Sequence, residues 1–472
     1  MNHLSLATLS KVLISRSNNF DPAAGTAGVS GISIDSRTVQ PGDLFFAIQG
    51  QRLDGHEFVK QALERGASAC VVKQQFVSES NSAQLLLVDD VNQALTRFAH
   101  WYRRQQSATV IGVTGSVGKT TTRNMIYTSL APYLKGVQSP ANYNNEFGVP
   151  LSIAQLESVH QFAVLELGAS QTGEIRSLAE VVSPEIGVIT GIGPSHLEHF
   201  GTLQRTAEAK AELFEQLPVS GLAIVNGDDA YADFLASRSP APSFRIGLGE
   251  GNDLRAVAVR QEENGLTFQV DGTSFVIPVM GSHFVYPALI AIAVGKVLGL
   301  SNQELSDSLR EYEPVRGRCH VELVGDWTVV DDAYNSSPVS MRAACELLSD
   351  WPTPGKRILV MGDMLELGPD SPGYHREIGK KVACSTIDRL YVCGAQAASV
   401  AAGALEEQFP AGCIVQGADV EEIQADVFSG LEPGDVVLVK GSRGMRMERL
   451  LEYLKQQVSV QSTQGEKNIS CV

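Results

Sequence analysis

The chain has 472 residues, too many for a single domain of roughly 100–200 residues, and its 43% hydrophobic and 19% charged content is enough to give each of three domains a packed core. A formal net charge of −16 argues against nucleic acid as a partner, because phosphate backbones are held by clustered Lys and Arg. The seven cysteines, Cys70, Cys319, Cys345, Cys384, Cys393, Cys413 and Cys471, show neither a CxxC pair nor metal-like spacing and read as reduced thiols, mostly small core residues, of a cytoplasmic protein.

The opening MNHLSLATLSKVLISRS has no basic leader with a long apolar core, and no stretch offers the eighteen or so apolar residues of a spanning helix, so neither secretion nor membrane insertion is expected. Further on, apolar runs rich in Val and Ile recur, most followed by a turn and a helix-length segment: SACVV, LLLVDD, TVIGVTG, FAVLELG, EIGVITG, LAIVNGDD, RILVMGD, LYVCG and VVLVKGS. Strands of this kind are buried on both faces, as in a parallel sheet covered by helices. The predicted class is α/β with three domains: 1–104, closing on the amphipathic helix VNQALTRFAHWYRRQQ; 105–312, a central phosphate-loop ATPase-like parallel or mixed sheet; and 313–472, Rossmann-like. Within the second, QEENGLTFQVDGTSFVIPV alternates like a hairpin before the helical PALIAIAVGKVLGL. The polar tail QSTQGEKNIS is expected to fray.

TVIGVTGSVGKTTTRNMIYTSL reads as a buried strand, a glycine-bearing turn over Thr114, Gly115, Ser116, Val117 and Gly118, and a helix opening at Lys119. Backbone N–H groups and the helix N-terminus then face phosphate oxygens, Lys119 neutralises the outer phosphates, and the Thr120 hydroxyl, with Thr121 beside it, stands where magnesium is ligated. The strict phosphate-loop pattern wants a glycine at Val113, and Gly112 lies one position earlier. By itself, ATP binding leaves motors, kinases, switches and ligases open.

TGSVGKTT followed by NYNNEFGVPLS, LELGAS, ITGIGPSHLEHFGT and EAKAELF resembles the central domain of the Mur ligase family. IDSRTVQPGDLFFAIQGQRLDGHEFVKQALERGASACVV resembles the UDP-binding domain of its late-acting members. VRGRCHVE, VVDDAYNSSPVSMRAA, VMGDMLELG and VLVKGSRGMRMERL resemble the C-terminal domain of the member that joins D-alanyl-D-alanine to a UDP-N-acetylmuramoyl-tripeptide. The resemblance implies ATP-dependent amide ligation through an acyl phosphate in peptidoglycan synthesis, with ATP and Mg²⁺ as cofactors, the tripeptide nucleotide and D-alanyl-D-alanine as partners, and a monomer.

Residue by residue, the resemblance has Thr120 and Glu166 hold one magnesium, while His196, Glu166 and a carbamylated Lys210 organise a second. On the residues alone, Glu166 is either a ligand at a strand's C-terminal end or a solvated acid, His196 a ligand or a structural histidine, and Lys210 an ordinary helix lysine. The family match further implies substrate contacts at Asn144 and Asn145, a nucleotide-sugar pocket at Ser36, Arg37, Asp54, Gly55 and His56, and closure on the nucleotide by His283, Arg318 and Asp332. Asn335, Lys440, Ser442 and Arg443 face the reaction centre, or else Lys440–Arg443 is only a charged strand-end loop. In GSHFVYPALIA, Pro287 stands where the family has an asparagine on the nucleotide base. The family's other branches, one adding diaminopimelate or lysine and the folylpolyglutamate synthetases, fit less well: no DNPR-like motif is present in the C-terminal block, and the first block is of the UDP type. A catalytically silent nucleotide-binding partner is disfavoured by the presence of Lys119, Glu166, His196 and Lys210.

Overall fold

The run TVIGVTG forms the strand Thr109–Thr114 inside a seven-stranded, wholly parallel sheet whose order is Leu254–Arg255, Ser243–Gly247, Leu222–Asn226, Ile186–Ile189, Thr109–Thr114, Phe162–Glu166, Gly136–Gln138. Its alternate residues enter two different cores, Val110 on one face and Ile111 and Val113 on the other, which is why the sequence is apolar without alternation. The chain leaves Thr109–Thr114 toward one sheet edge and later crosses to its other side at Ile186–Ile189, so a topological switch point opens at the carboxyl ends of these strands.

This is a computed structural model and describes residues 1, 3–13, 28–50, 52–75 and 85–469. All nine apolar runs form strands within the described residues. In the first block Gly31–Ser33, Asp43–Phe46, Ala69–Lys73 and Leu85–Val88 make a four-stranded parallel sheet. The helix Val91–Arg103 follows, capped by Asp90, whose side chain accepts from the Gln93 N–H. Its apolar face, with Leu95, Phe98 and Tyr102, belongs to the same core as one face of the central sheet, and the Tyr102 hydroxyl donates to the Leu156 carbonyl at 2.6 Å.

The predicted hairpin is a three-stranded antiparallel sheet, Val257–Glu262, Gly265–Val270 and Thr273–Ile277, packed with the helix Val285–Val297 on the other face of the central sheet. The last block is a six-stranded sheet in the order His320–Val324, Trp327–Asp332, Val436–Lys440, Arg357–Gly362, Arg389–Cys393, Ile414–Gly417, parallel except for its first strand, with a core on each face.

Two expectations need correcting. The tail does not fray at Gln461; Glu448–Ile469 is one helix, in keeping with the helix-forming Glu, Gln and Lys along it, while Ser470 and Cys471 lie outside the described residues. Among the described cysteines, Cys70, Cys345 and Cys393 are core residues, Cys319 and Cys413 are partly exposed and Cys384 is exposed. Among the described residues no helix is long and apolar enough to cross a membrane.

Candidate active site

The turn after Thr109–Thr114 is pinned from both sides. The Thr114 hydroxyl donates to the Leu167 carbonyl (2.7 Å), the Ser116 N–H donates to the Gly191 carbonyl (3.0 Å), and the Thr190 hydroxyl donates to the Val117 carbonyl. Gly115 sits at φ +148°, where a Cβ would come within 2.0 Å of the Thr190 hydroxyl oxygen, and Gly118, at φ +79°, caps the helix Lys119–Leu130. Val113 is fully buried in the strand, so a glycine there would serve no purpose in the turn. The Lys119 ammonium curls back onto the Gly115 carbonyl (2.8 Å). Burial lowers its pKa, with Arg318 adding to the effect and Glu166 opposing it, so an anion is the partner this lysine lacks.

Glu166 ends its strand only 2% exposed, which rules out a solvated acid. One carboxylate oxygen accepts from the Thr120 hydroxyl and the other from the Asn144 amide, both at 2.9 Å, with the Arg123 guanidinium 3.6 Å away. Asn145 plays a different part, because its side-chain oxygen accepts from the Phe147 and Gly148 N–H groups and so starts the short helix Gly148–Ile153. Arg123 was not anticipated, because a helix arginine in sequence carries no sign of the acid it will meet.

Lys210 lies on the helix Leu203–Glu215, yet it is 1% exposed, so the reading as an ordinary solvated lysine is wrong. Its ammonium reaches the Ala169 carbonyl at 3.3 Å and stands 5.3 Å above the Phe200 ring. Burial, reinforced by the Lys119 charge, brings its pKa down to about 7. His196, in a left-handed conformation at φ 52°, turns its Nδ1 onto the Glu366 carboxylate. Its pKa is lowered mainly by burial, with Lys119 and Lys210 adding and Glu366 opposing. Among the described residues, no group of three or more His, Cys, Asp or Glu could by itself hold a metal ion.

A cavity of about 450 Å³ lies at the switch point. Ser116, Val117, Gly118, Lys119, Thr120 and Thr121 form one wall, and His196, His283, Arg318, Asp332, Asn335, Lys440, Ser442 and Arg443 line the rest. Thr114, Gly115, Glu166, Lys210, Asn144 and Asn145 are not among the residues that line it. Arg318 stacks on Tyr334 at 4.3 Å, with Arg443 at 5.7 Å from the same ring. The Lys440 ammonium is buried between the Asp332 carboxylate (2.6 Å) and the Asn335 carbonyl (3.0 Å), and the Ser442 hydroxyl accepts from the Leu365 N–H (2.8 Å). Of the charged loop, Arg443 is exposed and paired with Glu448 at 3.1 Å, while Lys440 and Ser442 are internal. Burial takes the His283 pKa down to about 4, so its ring is neutral at physiological pH. Pro287 lines the cavity in the first turn of its helix, where a missing N–H costs no helical hydrogen bond.

The five first-block residues are held by local contacts. Ser36 donates to the Gln61 side chain (2.6 Å), and the exposed Arg37 pairs with Asp35 (2.7 Å). His56 accepts from the Lys73 N–H through Nε2 (3.0 Å), so its Nδ1 carries the proton donated to Asp54 (2.6 Å). Gly55 is required by close approach, since a Cβ would lie 2.6 Å from the Ile48 carbonyl oxygen. None of the five lines the nearby cavity of about 270 Å³ between Ser30–Asp35 and Tyr143, Leu151 and Gln155.

Comparison with known proteins follows the same three blocks. Residues 28–103 match the profile described as Mur ligase family, catalytic domain, residues 113–295 the Mur ligase middle domain, and residues 317–443 the Mur ligase, glutamate ligase domain. The UDP-N-acetylmuramoyl-tripeptide–D-alanyl-D-alanine ligase of Bacillus subtilis is 34% identical over 429 residues, 90% of this chain and 93% of that one. The chain belongs to the Mur ligase family. Its fold is likewise that of Mur ligases of known structure: MurF from Acinetobacter baumannii superposes with a TM-score of 0.86 at 27% identity over 97% of this chain and 99% of that one. MurF from Thermotoga maritima, solved in complex with ADP, gives 0.80 at 30% identity over 91% and 98%. The phosphate loop thus falls in the Mur ligase middle-domain match, and Arg318, Asp332 and Lys440 in the glutamate ligase match.

Proposed function

We propose that this Mur ligase joins D-alanyl-D-alanine to UDP-N-acetylmuramoyl-tripeptide for peptidoglycan precursor synthesis, using ATP. The observation that carries the reading is the single cavity walled by a phosphate loop on one side and by Arg318, Arg443 and the Leu365–Leu367 turn of the last block on the other. The near full-length similarity to the Bacillus subtilis ligase supports this acceptor over the family's others.

In the reaction, a carboxylate oxygen of the tripeptide attacks the γ-phosphorus of ATP and ADP leaves, giving an acyl phosphate. The dipeptide nitrogen then attacks the carbonyl carbon, inorganic phosphate leaves, the nitrogen's proton passes to solvent, and an amide remains. Two anions must meet in the first step, and the Lys119 ammonium, beside the Gly115 carbonyl, stands where the outer phosphates arrive at the helix N-terminus. Water would hydrolyse the acyl phosphate, so the walls contributed by different blocks also serve to exclude it.

Magnesium fits the donors on one side of this site: the Thr120 hydroxyl and the Glu166 carboxylate are hard oxygens, brought together at 2.9 Å. When bound with ATP, the ion would neutralise charge on the phosphates. His196 and a carbamylated Lys210 would complete a second position. A lysine amine with a pKa of about 7 is substantially neutral at physiological pH, and neutral amine is the form that captures carbon dioxide. Asn144 orients Glu166, and His283 and Arg318 flank the nucleotide.

The same reading divides the chain into a nucleotide-sugar domain (1–104), an ATP domain (105–312) and a closing domain (313–472), acting as a cytoplasmic monomer. Ser36, Arg37 and the turn Asp54–His56 belong to the nucleotide-sugar side. The test is phosphate release measured with ATP, UDP-N-acetylmuramoyl-tripeptide and D-alanyl-D-alanine, each omitted in turn. Turnover that needs all three supports the reading, and release unaffected by omitting the dipeptide overturns it.

A further inference from the structure

We propose that the Glu366 carboxylate is the docking point for the ammonium of the incoming dipeptide. The inference rests on the ligase reading above and names where that reading's acceptor binds.

Three carboxylates line the 450 Å³ cavity, Asp229, Asp332 and Glu366. Asp229 has both oxygens engaged, Oδ2 by the Ile192 N–H at 2.7 Å and Oδ1 by the Tyr231 N–H at 2.8 Å. Asp332 is neutralised by Lys440 at 2.6 Å. Glu366 touches the protein through one oxygen, Oε2, which takes the His196 Nδ1. Its second oxygen has no hydrogen-bond or ion-pair partner among the described residues, and the side chain is 48% exposed. An ammonium entering this cavity therefore meets, among the described residues, one lining carboxylate with an oxygen that no protein group occupies.

The turn that carries Glu366 is held as a built feature. His375 Nε2 accepts from the Met364 N–H at 2.9 Å, the Ser442 hydroxyl accepts from the Leu365 N–H at 2.8 Å, and the Glu366 carbonyl accepts from the Glu198 N–H at 3.1 Å. Glu366 itself adopts φ +62°, a left-handed conformation costly for a residue with a Cβ, and Gly368 follows at φ +71°. Anchors in three separate segments thus aim one carboxylate from the last block at the His196 side of the central block.

The other end of a dipeptide is an anion, and a cation adjoins. A Cβ on Gly444 would come 2.8 Å from the Leu365 side chain, so the Arg443–Gly444 turn abuts the Glu366 turn. Arg443 lines the same cavity and pairs with Glu448 at 3.1 Å at its rim. Carboxylate and guanidinium on adjoining turns make a cradle for a small zwitterion.

Glu366→Gln is the informative variant, because its amide oxygen can still accept from His196 while the negative charge is gone. Steady-state rates should show the KM for D-alanyl-D-alanine raised about 10- to 100-fold, with the KM values for ATP and the tripeptide nucleotide within about twofold of wild type. Hydroxylamine, neutral at physiological pH, should intercept the acyl phosphate as a hydroxamate equally well in both proteins. An unchanged dipeptide KM, or a loss of hydroxamate formation equal to the loss of ligation, would overturn the assignment and leave Glu366 a structural bridge. Wild-type enzyme that forms hydroxamate but never ligates D-alanyl-D-alanine would overturn the acceptor reading itself, and this inference with it.

Discussion

The Lys440 ammonium and the Asp332 carboxylate face each other at 2.6 Å with side chains 1% and 9% exposed, joining two neighbouring strands at the ends that reach the cavity. Each charge was desolvated on folding and is compensated chiefly by the other. Asp332→Ala should therefore cost about 3–5 kcal/mol by leaving a buried ammonium alone. Denaturant titration of Asp332→Ala, Lys440→Met and the double variant checks this; a double variant as unstable as the sum of the singles would mean that the two do not compensate one another.

Lys210 gives a pH signature. Its pKa in the folded chain is about 7 against an ordinary 10.5, so between these values the unfolded chain binds a proton that the folded chain has released. The stability penalty is full below about pH 7 and is relieved as pH rises toward 10.5. In carbon dioxide-free buffer the wild type should gain stability from neutral to alkaline pH by more than Lys210→Met does. With labelled bicarbonate, the wild type should incorporate label that Lys210→Arg does not, and the arginine variant should lose about 100-fold or more in activity. Near-normal activity in Lys210→Arg returns the residue to a purely structural role.

Lys119→Ala should cost about 100- to 1,000-fold in turnover, because the cation at the transferring phosphate is lost. Its thermal midpoint should hold, since the ammonium's hydrogen bond is to a loop carbonyl rather than to the core. A variant that unfolds early would instead place this lysine among the loop's supports.

Arg103 closes the helix Val91–Arg103 by donating to the Val182 carbonyl (2.8 Å), the Ser183 and Gln106 carbonyls (both 3.1 Å) and the Glu185 carboxylate (2.8 Å). Glu185 is half-exposed and contributes little, so the orphaned carbonyls set the cost of Arg103→Ala at about 3 kcal/mol. Urea unfolding measures it, and a change within about 0.5 kcal/mol would show that water replaces the guanidinium.

Much of this was legible in the chain. Strands buried on both faces leave an unbroken apolar run, and a loop that wraps phosphate must spend glycines, so TVIGVTGSVGKTT marked both strand and site. Glu166 could be read from its place at a strand end. Glu366 could not, because it meets His196 across 170 residues and its sequence neighbours say nothing of that histidine. For the same reason Lys210 read on its residues alone as an ordinary helix lysine: burial is a property of what packs over it, here Phe200 and the Ala169 carbonyl. Where family likeness offered His56 as a ligand contact, its two ring nitrogens are already engaged with Lys73 and Asp54.

Pro287 offers the nucleotide base no side-chain hydrogen bond. Pro287→Asn, placing an amide on the same cavity wall, should lower the KM for ATP by about 2- to 10-fold, the worth of one hydrogen bond, and sharpen discrimination against GTP. Equal KM values would put base recognition elsewhere along the wall.

The helix Val91–Arg103 shares one continuous core with the first sheet and with a face of the central sheet, whereas the last block keeps a core on each face of its own sheet. Cutting the chain after this helix would expose the part of it that faces the central sheet and cost Tyr102 its bond to the Leu156 carbonyl, so the first block should lose stability when cut away. Calorimetry should accordingly resolve two melting units instead of three, the first two blocks giving way together, and truncations meant to isolate nucleotide-sugar binding will need to carry the central sheet with them.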